Sequence, residues 1–494
     1  NDCLFNSNSA SYDSDSLESK PTFFTDGNYI FDECKFNNNQ AQGYRNSYCG
    51  SLCISKSKYS INKCTFYKNK VSNNYPYSST YNDLYTRGGA IFLRNSNGEL
   101  YLCSFINNTS YGNHVATRGG AVYIETTISS FINCSFINNS ASTGDLDSFG
   151  GSIFIESGEE TFENCIISYN NVYSPNRNVH GGAFYTNCQY ISIENCTIFN
   201  NDAYSPNGNG YGSAFYLSSQ NIIINNCKII NNNAHSLKGN IYGGALYIVS
   251  RNMTIENSIF LYNTATTNKN TVRGGAIHSS STNFKYENVS FINNSIHTIV
   301  STAQGGSIFC SGGSSSICLN CYFYNNSIEF NSDKISFEEG FNLQGGSIYL
   351  TSMTLDFIEC IFQNNSCIGN ASNWDINLYG GSIYAIGSQL KFDKCYILNN
   401  KIFSYGEQLG PPFIIQGGGF CIFDSNLNIT QCEFNNNSIL MESKKEFKVL
   451  MASFYGGALY SYNNAKSTNL YNCSFSHNLI KIPNHREKGF GGGI

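Results

Sequence analysis

The sequence predicts an all-β chain folded as a right-handed parallel β-helix, a β-solenoid of about 13–15 coils with three short strands in each. Three observations predict it. Glycine pairs recur at a fixed period, a Cys-x-Phe/Ile-x-x-Asn motif, with Ser258 and Val289 replacing the cysteine in two units, begins 15 residues after the first glycine in most units, and inward apolar residues alternate with outward ones between them.

The pairs Gly88-Gly89, Gly119-Gly120, Gly150-Gly151, Gly181-Gly182, Gly212-Ser213, Gly243-Gly244, Gly274-Gly275 and Gly305-Gly306 each open 31 residues after the last. A unit this short and this sparing in apolar residues cannot close its own core, so it buries its inward side chains against the units above and below. Later pairs open at Gly345, Gly380, Gly417, Gly456 and Gly491, 35 to 40 residues apart. Residues 88–305 are thus the regular units and 306–494 the units with longer corner loops, within one expected domain over 1–494. The extra length falls between the asparagine of the motif and the next pair, a corner where a longer loop leaves the strand register intact.

Within a unit the first strand carries an apolar residue expected to face inward (Ile91, Val122, Ile153, Phe184, Phe215). The next residue points the opposite way by strand geometry and is aromatic: Phe92, Tyr123, Phe154, Tyr185, Tyr216, Tyr247. A second strand alternates at Ile191/Ile193 and Ile222/Ile224, then breaks at Asn133, Asn164, Asn195 and Asn226, residues that tolerate left-handed backbone and suit a corner. The third strand is Cys-x-Phe/Ile, beginning at Cys103, Cys134, Cys165, Cys196 and Cys227 and leading to Asn108, Asn139, Asn170, Asn201 and Asn232. These cysteines and asparagines are expected to form structural ladders along the stack. Right-handedness follows from the twist and crossover preference of parallel strands.

The two motifs resemble those of the polymorphic outer membrane protein family, defined by paired GGA[ILV] and FxxN sequences. Here they read Gly-Gly-Ala-Ile at 88–91 and 274–277, and Phe-Ile-Asn-Asn at 105–108, 136–139 and 291–294. Their fixed spacing extends over residues 34–494. The resemblance implies a β-helical passenger displayed on a cell surface, with adhesion as its role. The family's bacterial members end in a membrane β-barrel that this sequence does not show, and its composition suggests a eukaryotic relative of the repeat.

A net charge of −5 with only 13% charged residues leaves no basic patch for nucleic acid or an anionic membrane. No run of eighteen apolar residues is present, so direct membrane insertion is not expected. The chain opens in the middle of a unit and closes in the first strand of another, which reads as an excerpt of a longer polypeptide. Fourteen Asn-x-Ser/Thr sequons occur, among them Asn107, Asn138, Asn252, Asn293, Asn325, Asn364, Asn370 and Asn436. N-linked glycans at these positions would solubilise a weakly charged surface and imply the secretory pathway.

Of twenty cysteines, thirteen fill the same place in their coils, which suggests a file of buried thiols. The off-ladder Cys49, Cys53, Cys188, Cys310, Cys367 and Cys421 are the bridge candidates, with no pairing assignable. Cys318 and Cys321 spell CxxC, but both fall on inward positions, and neither zinc nor any other metal or cofactor is expected. Glu163, Glu194, Glu256 and Glu287 share one position and read as a solvated edge, although a carboxylate column could bind cations. Asp13/Asp15 and Asp145/Asp147 read as turn residues.

The outward column of Tyr123, Phe154, Tyr185, Tyr216 and Tyr247 is the candidate binding face, unless it is covered as a second small core. The residue before each glycine pair (Arg87, Arg118, Phe149, His180, Tyr211) forms another column of planar groups that stacking would explain. The functional expectation is an extracellular or cell-surface adhesin that binds cell-surface glycans or proteins. The alternatives are a structural subunit of an extracellular fibre or coat, in contact with copies of itself, and a polysaccharide lyase or hydrolase. The last needs clustered carboxylates beside Arg or Lys, and here the acids are scattered.

Overall fold

The computed structural model describes residues 1–11, 22–43, 46–74, 84–299, 302–332, 341–371, 376–406, 413–443, 452–462, 466–482 and 489–490. Asp13, Asp15 and the pair at Gly491 lie outside the described residues. The chain divides into two compact units, residues 1–239 with 245–251 and residues 240–244 with 252–494. Each is a parallel β-helix, and no helix occurs among the described residues. The Cys-x-Phe strand recurs eight times in the first unit, from Leu4–Asn6 to Lys228–Ile230, and seven times in the second, from Ile259–Leu261 to Ser474–Ser476.

In the first unit, the coil opening at Gly88 contains five strands where the sequence suggested three. Ile91–Arg94 and Asn97–Tyr101 lie in one sheet (sheet 1), Ser104–Ile106 in sheet 2, Thr109–Gly112 in sheet 3 and Ala116–Arg118 in sheet 4. Sheets 3 and 4 occupy the ends of the segment expected to be a variable loop, so the length variation is confined to the stretch between them. In the second unit the pairs Ser327–Ser332 and Phe341–Gln344, and Lys401–Gly406 and Phe413–Gln416, flank the longer stretches. The sheet 3 strands escape pattern reading because their inward residue is small (Ser110, Ala141, Val172, Ala203) and its neighbours are polar. Those of sheet 4 in the first unit are only two or three residues long.

The strand pairings are parallel and join like positions. Ile91 pairs with Val122, and Phe105 with Phe136, which pairs in turn with Ile167. Inside the first unit Phe36, Phe66, Phe105 and Phe136 stack face to face at 4.7, 4.8 and 4.9 Å, the spacing of adjacent strands. The second unit repeats this with Phe260, Phe291, Phe323 and Phe362 at 4.9, 5.1 and 4.9 Å.

The ladder asparagines are buried and fully engaged. Asn108 Nδ2 donates to Asn139 Oδ1 at 3.0 Å and to the carbonyl of Phe66 at 2.9 Å, while Asn139 Oδ1 also accepts from the Asn108 backbone N–H at 2.9 Å. The same bonds continue through Asn170, Asn201 and Asn232 in the first unit, and from Asn263 through Asn294, Asn326 and Asn365 in the second. Only a primary amide offers a donor pair and an acceptor at this reach, which explains the repetition of one polar residue in a core that penalises unpaired polar groups. The ladder cysteines are free, and their thiols lie against backbone carbonyls; the single S–H of Cys134 has those of Leu100 and Ile132 within reach, at 3.3 and 3.4 Å from Sγ.

Three corners recur in left-handed backbone, and the coil opening at Gly119 adds a fourth at Thr126 (φ +54°). The recurring three are the first glycine of each pair (Gly119, φ +70°), the asparagine before the cysteine (Asn133, φ +54°) and the residue before the ladder asparagine (Asn138, φ +55°). Where an alanine would be strained, glycine and asparagine are tolerated, so the motif spells the corners directly.

Candidate functional site

The expected aromatic column exists in the first unit. Phe92, Tyr123, Phe154, Tyr185, Tyr216 and Tyr247 stack at successive centroid distances of 5.1, 5.2, 4.8, 4.7 and 4.8 Å. It is not an open face throughout. Tyr123 and Phe154 are 0% and 3% exposed, while Tyr185, Tyr216 and Tyr247 are half-buried.

The cover comes from the column before the glycine pair. The turn at each pair brings outward side chains of sheets 4 and 1 against one another, and the rings meet edge to face: Phe149 with Phe154 and Tyr185, His180 with Tyr216, Tyr211 with Tyr247. Guanidinium groups complete it, Arg87 5.4 Å from the Tyr123 ring centroid and Arg118 4.9 Å from that of Phe154. The Tyr123 hydroxyl donates to Glu156, which also faces Arg118. For Tyr123 and Phe154 the binding expectation is therefore corrected, since both belong to a second, external aromatic core. In the second unit Phe309, Tyr349, Tyr384 and Cys421 form a comparable buried cluster.

His180 lies in this core, stacked between Phe149 and Tyr211 at 4.7 Å from each. Burial holds its imidazole far below the usual range, at about 3, so it is neutral. A second buried ionisable group lies inside the coil. Glu160 occupies an inward position that is Ile191 one coil on, and its side chain is 0% exposed. One carboxyl oxygen accepts from Thr127 at 3.1 Å, and Thr127 contacts Ser129, which is hydrogen-bonded to Tyr59 at 2.7 Å. The other oxygen has no hydrogen-bond partner among the described residues. Burial pushes this carboxyl up to about 8.

Among the carboxylates that share one position, Glu163 pairs in register with Glu194, whose carboxylate accepts from Ser192 at 2.7 Å. In the second unit Lys285 bridges Glu256 and Glu287 at 2.9 and 2.5 Å, so the cation between those two acids is a lysine. Asp145 meets His114 at 2.8 Å, and Asp147 accepts from the backbone N–H of Asn178. No cluster of three metal-ligating side chains occurs among the described residues. Of the off-ladder cysteines, Cys49 and Cys53 form a disulfide, while Cys188, Cys310, Cys367 and Cys421 are free and buried.

The eight sequon asparagines are all exposed or half-buried. Six of them, Asn107, Asn138, Asn293, Asn325, Asn364 and Asn436, are the left-handed corner residue. The fold itself writes Asn-Asn-Ser/Thr there: one Asn for the corner, one for the buried ladder, then a small polar residue opening sheet 3. Asn252 and Asn370 lie on strands instead.

Tyrosines that pattern reading passed over line a groove of about 390 Å³ in the first unit, formed with Asn138, Asn171, Asn200 and Asp202. Tyr169 is 52% and Tyr173 37% exposed. The Tyr173 and Tyr204 rings are 5.7 Å apart, and Tyr169 rests edge-on against Phe199. Tyr169 stands at the corner position that is asparagine in the coils before and after it, yet keeps φ +56°. A tyrosine there is strained by roughly 1–2 kcal/mol. The signal was legible as a replaced corner residue: Ile167-Ser168-Tyr169-Asn170 keeps the spacing of Phe136-Ile137-Asn138-Asn139 but carries tyrosine where that coil carries asparagine.

No family model, curated protein or solved structure matches the chain. Fold and site geometry together define it as a parallel β-helix protein.

Proposed function

We propose that this chain is the β-helical part of an extracellular or cell-surface adhesin, acting by contact between its repeated outer faces and glycans or proteins. The observation that carries the reading is the Tyr169–Tyr173–Tyr204 groove, where aromatic rings stay exposed beside polar side chains although the same fold elsewhere buries its outward rings in a second core. Amphipathic rings of this kind are the usual anchors of recognition surfaces. The half-buried edges of Tyr185, Tyr216 and Tyr247 add a second contact surface. The resemblance to surface-displayed repeats supports the same role, as do surface sequons and the Cys49–Cys53 disulfide, which suits an oxidising compartment. A binding role rather than a catalytic one fits acids already engaged by Lys285, His114 and backbone N–H groups.

The test is adhesion of the purified chain to host cells and to immobilised glycans and proteins. Saturable binding weakened by alanine at Tyr173 and Tyr204, or at Tyr185 and Tyr216, is the expected result. Turnover of an acidic polysaccharide, or self-assembly with no adhesion to any surface, would replace this reading with one of its rivals.

A further inference from the structure

We infer that the Tyr169 groove is a subsite for a short, neutral oligosaccharide supplied from outside the chain, an inference that rests on the adhesin reading and names its ligand class. The starting point is an interruption. On the outer edge of sheet 2 the corner asparagines form their own exposed amide file, in which Asn138 Nδ2 donates to Asn107 Oδ1 and Asn231 Nδ2 donates to Asn200 Oδ1, each at 2.6 Å. Tyr169 occupies the place between Asn138 and Asn200 and breaks the file. The Oδ1 acceptor of Asn138 and the Nδ2 donor of Asn200, which an asparagine at 169 would engage, therefore have no side-chain partner among the described residues. They stand two coils apart, about 10 Å, on either side of an exposed ring.

The rest of the groove continues this chemistry. The hydroxyls of Tyr169, Tyr173 and Tyr204 and the amide of Asn171 have no hydrogen-bond partner among the described residues, while Asp202 Oδ1 lies 3.2 Å from His235 Nδ1. A pyranose ring matches such a surface: its axial C–H face covers an aromatic ring while its hydroxyls need both donors and acceptors at the rim. An anionic sugar would meet Asp202 and no free cation among the lining residues, and this selects neutral glycans. Strain at Tyr169 fits the same conclusion, because a half-exposed tyrosine is held at a corner that favours asparagine. Asn138 is itself a sequon residue at the rim, so a glycan attached there is the other source of the same chemistry.

The experiment uses the whole 494-residue chain, made once in a bacterial cytoplasm, without N-glycans, and once in a secreting eukaryotic host. A panel of neutral and acidic oligosaccharides is titrated by calorimetry and saturation-transfer NMR. The expected result is binding of at least one neutral oligosaccharide by the unglycosylated chain. Its Kd should rise tenfold or more in Tyr169→Asn, which installs the residue neighbouring coils carry and so preserves folding, and also in Tyr204→Ala. It should stay unchanged in Tyr396→Ala, an exposed tyrosine elsewhere. Weaker binding by chain glycosylated at Asn138 also supports the site. Unchanged affinity in a folded Tyr169→Asn chain, a preference for acidic sugars, or a groove filled only by its own Asn138 glycan would overturn it. Cell adhesion that persists without any Tyr169-dependent sugar binding sinks this inference and leaves the adhesin reading standing; absence of all binding sinks both.

Discussion

Glu160→Gln should stabilise the first unit, and by an amount that depends on pH in a defined way. The carboxyl is raised from 4.5 to about 8 by burial, so between those values the folded chain holds a proton that the unfolded chain releases. Stability is then lost as pH rises through this window and is constant on either side of it. At 1.36 kcal/mol per unit, the penalty is about 3 kcal/mol at pH 7 and about 5 kcal/mol above pH 8. Glutamine keeps the acceptor for Thr127 and cannot ionise, which removes the penalty. Urea unfolding of both chains at half-unit steps from pH 4 to 9 measures the difference directly, since every other titrating group is common to the two and cancels. The curves should coincide near pH 4 and diverge to about 3 kcal/mol at pH 7. Parallel curves would refute the reasoning, because they would mean that the Glu160 carboxyl reaches water or a cation.

His180 works in the opposite sense. Its folded value of about 3 lies below the ordinary 6.5, so its contribution is complete above pH 6.5 and falls by about 2 kcal/mol between pH 7 and 5. His180→Phe should abolish that loss, as followed by thermal unfolding at the two pH values. Asn139→Ala removes the acceptor of two Asn108 donors and leaves them buried and unpaired, which should cost about 3–5 kcal/mol in chemical denaturation. Tyr169→Asn should raise stability by about 1 kcal/mol through relief of left-handed strain, a gain visible in the melting temperature even if sugar binding is lost. The ladder thiols Cys103 to Cys227 should resist thiol reagents in the native chain and react fully in denaturant, because all are buried.

What the sequence determined by itself was whatever repeats. Periodicity placed Gly119, Asn133, Cys134, Phe136 and Asn139 at their coil positions, because stacking one coil on the next demands the same residue at each corner and each inward site. It did not show sheets 3 and 4, because in the first unit inward residues of sheet 3 such as Ser110, Ala141 and Ala203 are too small to mark an alternation and the strands of sheet 4 are only two or three residues long. Nor could it show that Tyr123 and Phe154 are covered, because their cover, Phe149 with Arg87 and Arg118, comes from a strand on the far side of the glycine corner, and exposure depends on the angle at which two strands meet. Glu160 and Tyr169 were passed over because each departs from the residues that the coils on either side carry at its position. Only the tertiary structure decided what those departures do, since the consequence of a single exception is set by its neighbours one coil away: a carboxyl closed off from water in one case, and a pair of released amides beside an open ring in the other.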